Sequence, residues 1–229
     1  MKKYLSLVTP ALIGLAVFGL TAHLTARVYV STTWLSDLFW VIHLIIPLLL
    51  MGCAIAAHLI AKGRTAGYLV SYFLNAVGSG CLVGAIYGLR GYVPQIHLLG
   101  ALLPAALIVA ATFLIPLQLK DLAKGITALV LAGLALALAV AGIFVWPFYS
   151  MPMGCCFLFS GLFILPFPLA VATLQEDSRQ RFRYLSFSGF GTFALVIIVA
   201  AFILSDGDIL DGLDGFDFSD IGSGKKKGK

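Results

Sequence analysis

Residues 67–91 read GYLVSYFLNAVGSGCLVGAIYGLRG. The run is apolar and long enough to cross a hydrocarbon core of about 30 Å as a helix. Gly80, Gly84 and Gly88 recur at every fourth position, with Ala76 one step earlier in the same series. At about 3.6 residues per turn these four positions share one face. A face without side chains lets a second helix approach backbone to backbone. Asn75 lies within about 5 Å of the middle of this helix at a rise of 1.5 Å per residue. Ser79 sits one turn beyond it. The same segment therefore carries the tightest packing surface and the deepest strong polar group, and it is expected at the centre of a helical bundle.

The rest of the chain fits that setting. Of 229 residues, 61% are hydrophobic and 11% charged, and the mean hydropathy is +1.04. Soluble domains run at roughly 45–50% apolar and ~25% charged. Spans are expected at residues 4–26, 38–61, 66–89, 96–119, 125–145, 156–174 and 185–204. The expected fold class is an all-α, seven-transmembrane-helix bundle over residues 1–204, followed by a tail at 205–229. Six aspartates from Asp206 to Asp220 alternate with glycines and apolar residues in that tail, before a lysine tip at 225–229. Glycine at this density does not hold a helix, so the tail is expected to be disordered.

Lysine and arginine set the threading. With the N-terminus inside, the inner segments carry Lys2, Lys3, Lys62, Arg64, Lys120, Lys124, Arg179, Arg181 and Arg183, and the outer loops only Arg27 and Arg90. The tail lysines lie too far past the last span to count. The expected arrangement is N-in, C-out, in the cell (cytoplasmic) membrane. The formal charge of +5 comes from residues dispersed at span ends. It does not indicate a nucleic-acid partner. The expected partners are the lipid bilayer and a second copy or a membrane partner subunit. Prolines 47, 104, 166 and 168 fall in the even spans and are expected to kink them. Ile42-His43-Leu44-Ile45 and Ile96-His97-Leu98-Leu99 open two inward-running spans in the same way, which hints at an internal repeat.

No Asp, Glu, Lys or Arg falls inside any of the seven spans. Proton-coupled pumps place such groups at membrane depth, so a carboxylate relay is not expected. Enzyme templates fail as well. There is no H-E-x-x-H and no G-x-S-x-G. The glycine-flanked Ser79 lacks a base histidine at matching depth. Asn75 reads most simply as an interhelical hydrogen bond, and otherwise as part of a substrate path with Ser79, His43 and His97. His23, His43 and His97 share the outer half of their spans, with His43 and His97 as the axial pair if haem were held. Met151, Met153, Cys155 and Cys156 place four sulfurs in an outer loop. Soft sulfur ligands suit Cu(I), so this loop and the histidines are the candidate metal set. The four cysteines form no disulfide framework, since Cys53 and Cys81 lie in apolar runs. The fifth span carries a second small-residue stripe, Gly133, Ala137 and Ala141, expected to pack on the third span or on another copy.

Three functions follow as expectations: a small permease or membrane subunit of a transport system; a metal- or haem-binding membrane protein; and a non-catalytic scaffold whose acidic tail recruits a partner. The threading has a direct test. A tag fused after Lys229 should be reached by protease in intact cells. Protection of that tag until the cells are lysed would overturn the N-in, C-out arrangement.

Overall fold

Among the described residues five helices are long and apolar enough to cross a bilayer: Leu7–Ser31, Ile42–Ile60, Thr65–Leu89, Leu122–Val145 and Gln180–Ala201. They are seen in a computed structural model that describes residues 2–35, 42–93, 102–112, 121–148, 151–172 and 178–204. Every element among the described residues is helical. In chain order these are α1 (Lys2–Ser31), a 3-10 turn (Thr33–Leu35), α2 (Ile42–Ile60), α3 (Thr65–Leu89) and α4 (Leu103–Ala111). Then come α5 (Asp121–Phe148), α6 (Met151–Ile164), α7 (Pro166–Ala172) and α8 (Ser178–Leu204). Over the described residues the chain is all-helical, with several helices suited to a membrane-embedded protein. The tail at 205–229 and the second half of the suspected repeat, at 96–99, lie outside the described residues.

Two of the seven expected spans are not seen as long helices among the described residues. In the fourth, the described part is the nine-residue α4, with Pro104 in its first turn. Proline is tolerated there because its missing N–H has no intrahelical partner anyway. The sixth is split at Leu165 into α6 and α7. Proline 166 supplies no N–H, and its ring conflicts with the carbonyl four residues back. The Thr192 hydroxyl of α8 donates to the Phe163 carbonyl at 2.7 Å, beside the break. A neighbouring hydroxyl of this kind is how a membrane protein satisfies backbone left open at a helix break. Pro47 breaks nothing, and α2 runs through it. Among the even-span prolines, Pro166 stands at a helix break, while the helices continue through Pro47 and Pro168. Helix α6 also begins five residues before the expected span, so Met151–Cys156 is helix rather than loop. Proline 152 at its second position favours a helix start there.

Small residues decide which helix sits at the centre. A Cβ added at Gly80 would lie 2.6 Å from the Phe18 carbonyl oxygen, and one at Gly84 2.5 Å from that of Ala22. One at Gly88 would collide with Cβ of Tyr29. The glycine ridge of α3 is thus filled by α1, and Ala76 beside it is fully buried. On its other sides α3 meets α2, where Gly67 lies against Ala61, and α8, where Gly78 lies under the Phe193 ring. Buried residues make up 67% of the α3 span, against 22% for α2 and 33% for α5. Helices α2 and α5 form the rim. Their outer faces expose Ile46, Leu49, Leu59, Leu129 and Phe144, as lipid contact requires.

The contacts also fix relative direction. Gly14 faces Tyr72 and Thr25 faces Gly84, so α1 and α3 run parallel. Ser186 meets Ser71 and Phe193 meets Gly78, so α8 is parallel to both. Gly142 faces Gly154 and Gly161 faces Ala135, so α5 and α6 are antiparallel. Helix α6 opposes α8, with Phe163 at Thr192 and Pro166 at Gly191. Lys62, Arg64, Lys124, Arg181 and Arg183 therefore gather at one end of the bundle, and Arg27 and Arg90 at the other.

The stripe on α5 does not pack on α3. Nothing lies within 4 Å of a Cβ added at Gly133, and Ala137 and Ala141 are exposed. The opposite face of α5, with Ala135, Ala139 and Gly142, is the one that seats α6. Alanine and glycine occur on both faces, so composition alone does not choose between them. Gly84→Leu should lower the detergent melting temperature by forcing α1 away, an overpacking cost of roughly 1–3 kcal/mol. Gly133→Leu should leave it within about 0.5 kcal/mol. Equal melting of the two variants would remove α3 from the centre.

Candidate functional site

Ser71, Asn75 and Ser79 are spaced four residues apart on α3, one turn above the next, and all are buried: 0%, 1% and 0% exposed. Their partners differ. The Ser186 hydroxyl of α8 donates to Ser71 Oγ at 2.8 Å. Nδ1 of His58, on α2, lies 2.8 Å from the same Ser186 oxygen. A hydroxyl has one proton to give. With that proton directed at Ser71, Ser186 accepts from His58, which places the imidazole hydrogen on Nδ1. Three helices are thus joined by one chain, His58–Ser186–Ser71, at the basic end of the bundle. The half-buried imidazole is ringed by Tyr68 at 5.0 Å, Phe187 at 4.7 Å and Phe190 at 5.7 Å between centroids. The Arg183 guanidinium lies over Phe187 at 5.7 Å, beside this cluster.

Asn75 and Ser79 continue the same face, but Nδ2 and Oδ1 of Asn75 and Oγ of Ser79 have no hydrogen-bond partner among the described residues. The interhelical bond expected of Asn75 is therefore not made. The reason lies on α8. Opposite Asn75 stands Gly189, whose added Cβ would be 3.3 Å from Asn75 Nδ2 and 3.1 Å from Tyr72 Cδ2. A glycine admits the amide and offers no side chain to bond it. A buried polar group left this way costs about 1–3 kcal/mol. Tyr72, which meets Gly189 as Asn75 does, leads into a group of aromatic rings. Tyr72 lies 6.3 Å from Phe163, and Phe163 stacks on Phe18 at 5.0 Å. The break between α6 and α7 is at this depth, because Pro166 meets Gly191, two residues from Gly189.

The other sequence candidates are scattered. His43, buried at the opposite end of α2, pairs through Nδ1 with the Tyr29 hydroxyl at 2.9 Å. His23 is half-buried on α1. His97 and the Met151 side chain lie outside what is described. Cys155 is fully buried, Cys156 half-buried and Met153 exposed at 37%. As helix neighbours the two cysteines point about 100° apart. Among the described residues no three His, Cys, Asp or Glu side chains are grouped to hold a metal ion. The expected convergence of histidines and sulfurs does not form from these residues. In comparisons with known proteins, no family model, no curated protein and no solved structure matches the chain.

Sequence reasoning passed over Ser71, Ser186 and Gly189. The four-residue spacing of Ser71, Asn75 and Ser79 was the available signal for the first. The other two depend on which helix faces α3, and no local pattern carries that. The two halves of the polar face should respond oppositely to mutation. Asn75→Leu removes an unpartnered amide and should raise the detergent melting temperature, by roughly 1–3 kcal/mol of stability. Ser186→Ala strands His58 and Ser71 and should lower it by about 0.6–2 kcal/mol. Lower melting for Asn75→Leu would mean that the amide glues the bundle after all.

Proposed function

We propose that this protein is a small permease, or the membrane subunit of a transport system, whose solute passes Asn75 and Ser79. One observation carries the reading. Two buried polar side chains without protein partners stand at the depth where the α6–α7 helix is interrupted. Asn75 is two residues from the middle of α3, or about 3 Å along the axis. Secondary transporters bind near the bilayer midplane, between helices of which some are discontinuous. A purely structural bundle gains nothing from an unbonded amide at that depth, where lipid supplies no partner.

Seven crossings are the count that the helix directions support. Helices α3 and α5 run the same way, so the chain between them has to return across the membrane, and α4 is the described part of that return. The pair α6–α7 supplies the sixth crossing. The cluster of cationic residues at one end supports placing that end in the cytoplasm. The tail beyond Leu204 then starts outside.

Solvent accessibility tests the path. In a variant with Cys53, Cys81, Cys155 and Cys156 replaced by serine, Asn75→Cys and Ser79→Cys are introduced singly. A membrane-impermeant methanethiosulfonate reagent should modify both from at least one side of sealed vesicles. If neither reacts from either side, while Gly91→Cys in the exposed turn after α3 does, the permease reading fails.

A further inference from the structure

We infer that the solute met by Asn75 and Ser79 is a small uncharged molecule of the amide or polyol class, entering along the His58–Ser186–Ser71 chain from the basic end. The inference rests on the permease reading and adds the substrate class. Its first ground is the inventory of the unpartnered groups. An asparagine amide offers two donors and a carbonyl acceptor, and a serine hydroxyl offers one donor and two lone pairs. A ligand that satisfies both must donate as well as accept. Groups of this kind do not offset the cost of bringing a bare ion to membrane depth.

The second ground is charge along the route. The chain from His58 to Ser79 contains no carboxylate, and Arg183 lies beside its entrance. A cation is repelled at the mouth and finds no counter-charge within. An anion attracted to the mouth loses that attraction beyond Ser71, where every group on the polar face of α3 is neutral. An uncharged solute meets neither barrier.

The third ground is shape. Consecutive members of the polar face are one helical turn apart, about 6 Å. One small molecule that donates at one end and accepts at the other bridges such a step. Tyr72, which meets Gly189 together with Asn75, begins an aromatic chain through Phe163 to Phe18. A solute with a carbon frame and polar termini suits such surroundings, as urea and glycerol do. Gly189 packs against both Tyr72 and Asn75, and even a methyl group there would crowd them.

The test uses the full chain reconstituted in phosphatidylcholine vesicles, mixed with hyperosmotic urea or glycerol and followed by light scattering. Solute entry should be faster than in protein-free vesicles. Asn75→Leu should cut the protein-dependent rate by about tenfold, the factor that one lost hydrogen bond to the solute produces. Gly189→Val should abolish it by displacing Asn75 and Tyr72. Ser79→Thr, which keeps the hydroxyl, should retain it, and helix content by circular dichroism should confirm that all three variants fold. Potassium and chloride fluxes should match those of protein-free vesicles. Several results would overturn the class: entry of neither urea nor glycerol, passage of water alone, an ion flux that Asn75→Leu removes, or urea entry unchanged by both Asn75→Leu and Gly189→Val. Labelling at Asn75→Cys and Ser79→Cys then separates the two levels. With labelling, only the substrate class falls; without it, the permease reading falls as well.

Discussion

The backbone-to-backbone seating of α1 on the glycine ridge of α3 is the contact on which the arrangement depends. In lipid no hydrophobic force distinguishes one apolar helix face from another, so close packing has to hold helices together. Gly80, Gly84 and Gly88 leave room only for backbone and small groups, and α1 presents Phe18, Ala22 and Ala26 through its carbonyls. The ridge also orients α3. Ser79 precedes Gly80 by one residue, which turns its side chain about 100° from the ridge. Once α1 occupies the glycines, the face carrying Ser71, Asn75 and Ser79 has to lie against the remaining inner neighbours. Those are α8 and α2.

Much of this was legible in residues 67–91. The ridge, the central place of the helix and the depth of Asn75 all follow from spacing and length, which a helix converts directly into geometry. The pairing across helices was not legible. The stripe Gly133, Ala137 and Ala141 has the same spacing logic as the ridge on α3, yet it faces outward, while Ala135, Ala139 and Gly142 seat α6. Small residues permit close approach; they do not select a partner. The sulfurs of residues 151–156 were misplaced for a different reason. Methionine, glycine and cysteine after an aromatic boundary suggest a loop, but a helix start at Pro152 extends α6 through them. Asn75 was identified correctly as deep and strongly polar. Its lack of a bond was hidden, because it is set by Gly189, more than a hundred residues away in the chain.

The two polar groups at the core sit where the bundle has its weakest backbone. Helix α6 ends at Ile164 and α7 restarts at Pro166, with the Thr192 hydroxyl on the Phe163 carbonyl. That bond joins side chain to backbone rather than closing a turn, so α6–α7 can shift against α8 without unravelling either helix. On the other side of α3, by contrast, Gly80, Gly84 and Gly88 leave no slack against α1. Motion around Asn75 is therefore expected on the α6–α8 side, with the α1–α3 pair as the fixed half.

Comparison of two positions on α8 shows why the gap at Asn75 is informative. Ser186 and Gly189 are three residues apart and face α3 one after the other. At the first, a serine meets Ser71 and is itself bonded to His58, so every hydroxyl on that level has a partner. At the second, a glycine meets Asn75, and the amide has none. The same helix face that closes one polar group leaves the next open, although a serine there would restore a hydroxyl beside the amide at the expense of a shift in Tyr72. Glycine opposite the amide brings α8 into contact with Asn75 and Tyr72, and this close approach leaves no side chain there to bond the amide. Close helix packing accounts for the glycine, and the bond it leaves unmade is what the permease proposal uses.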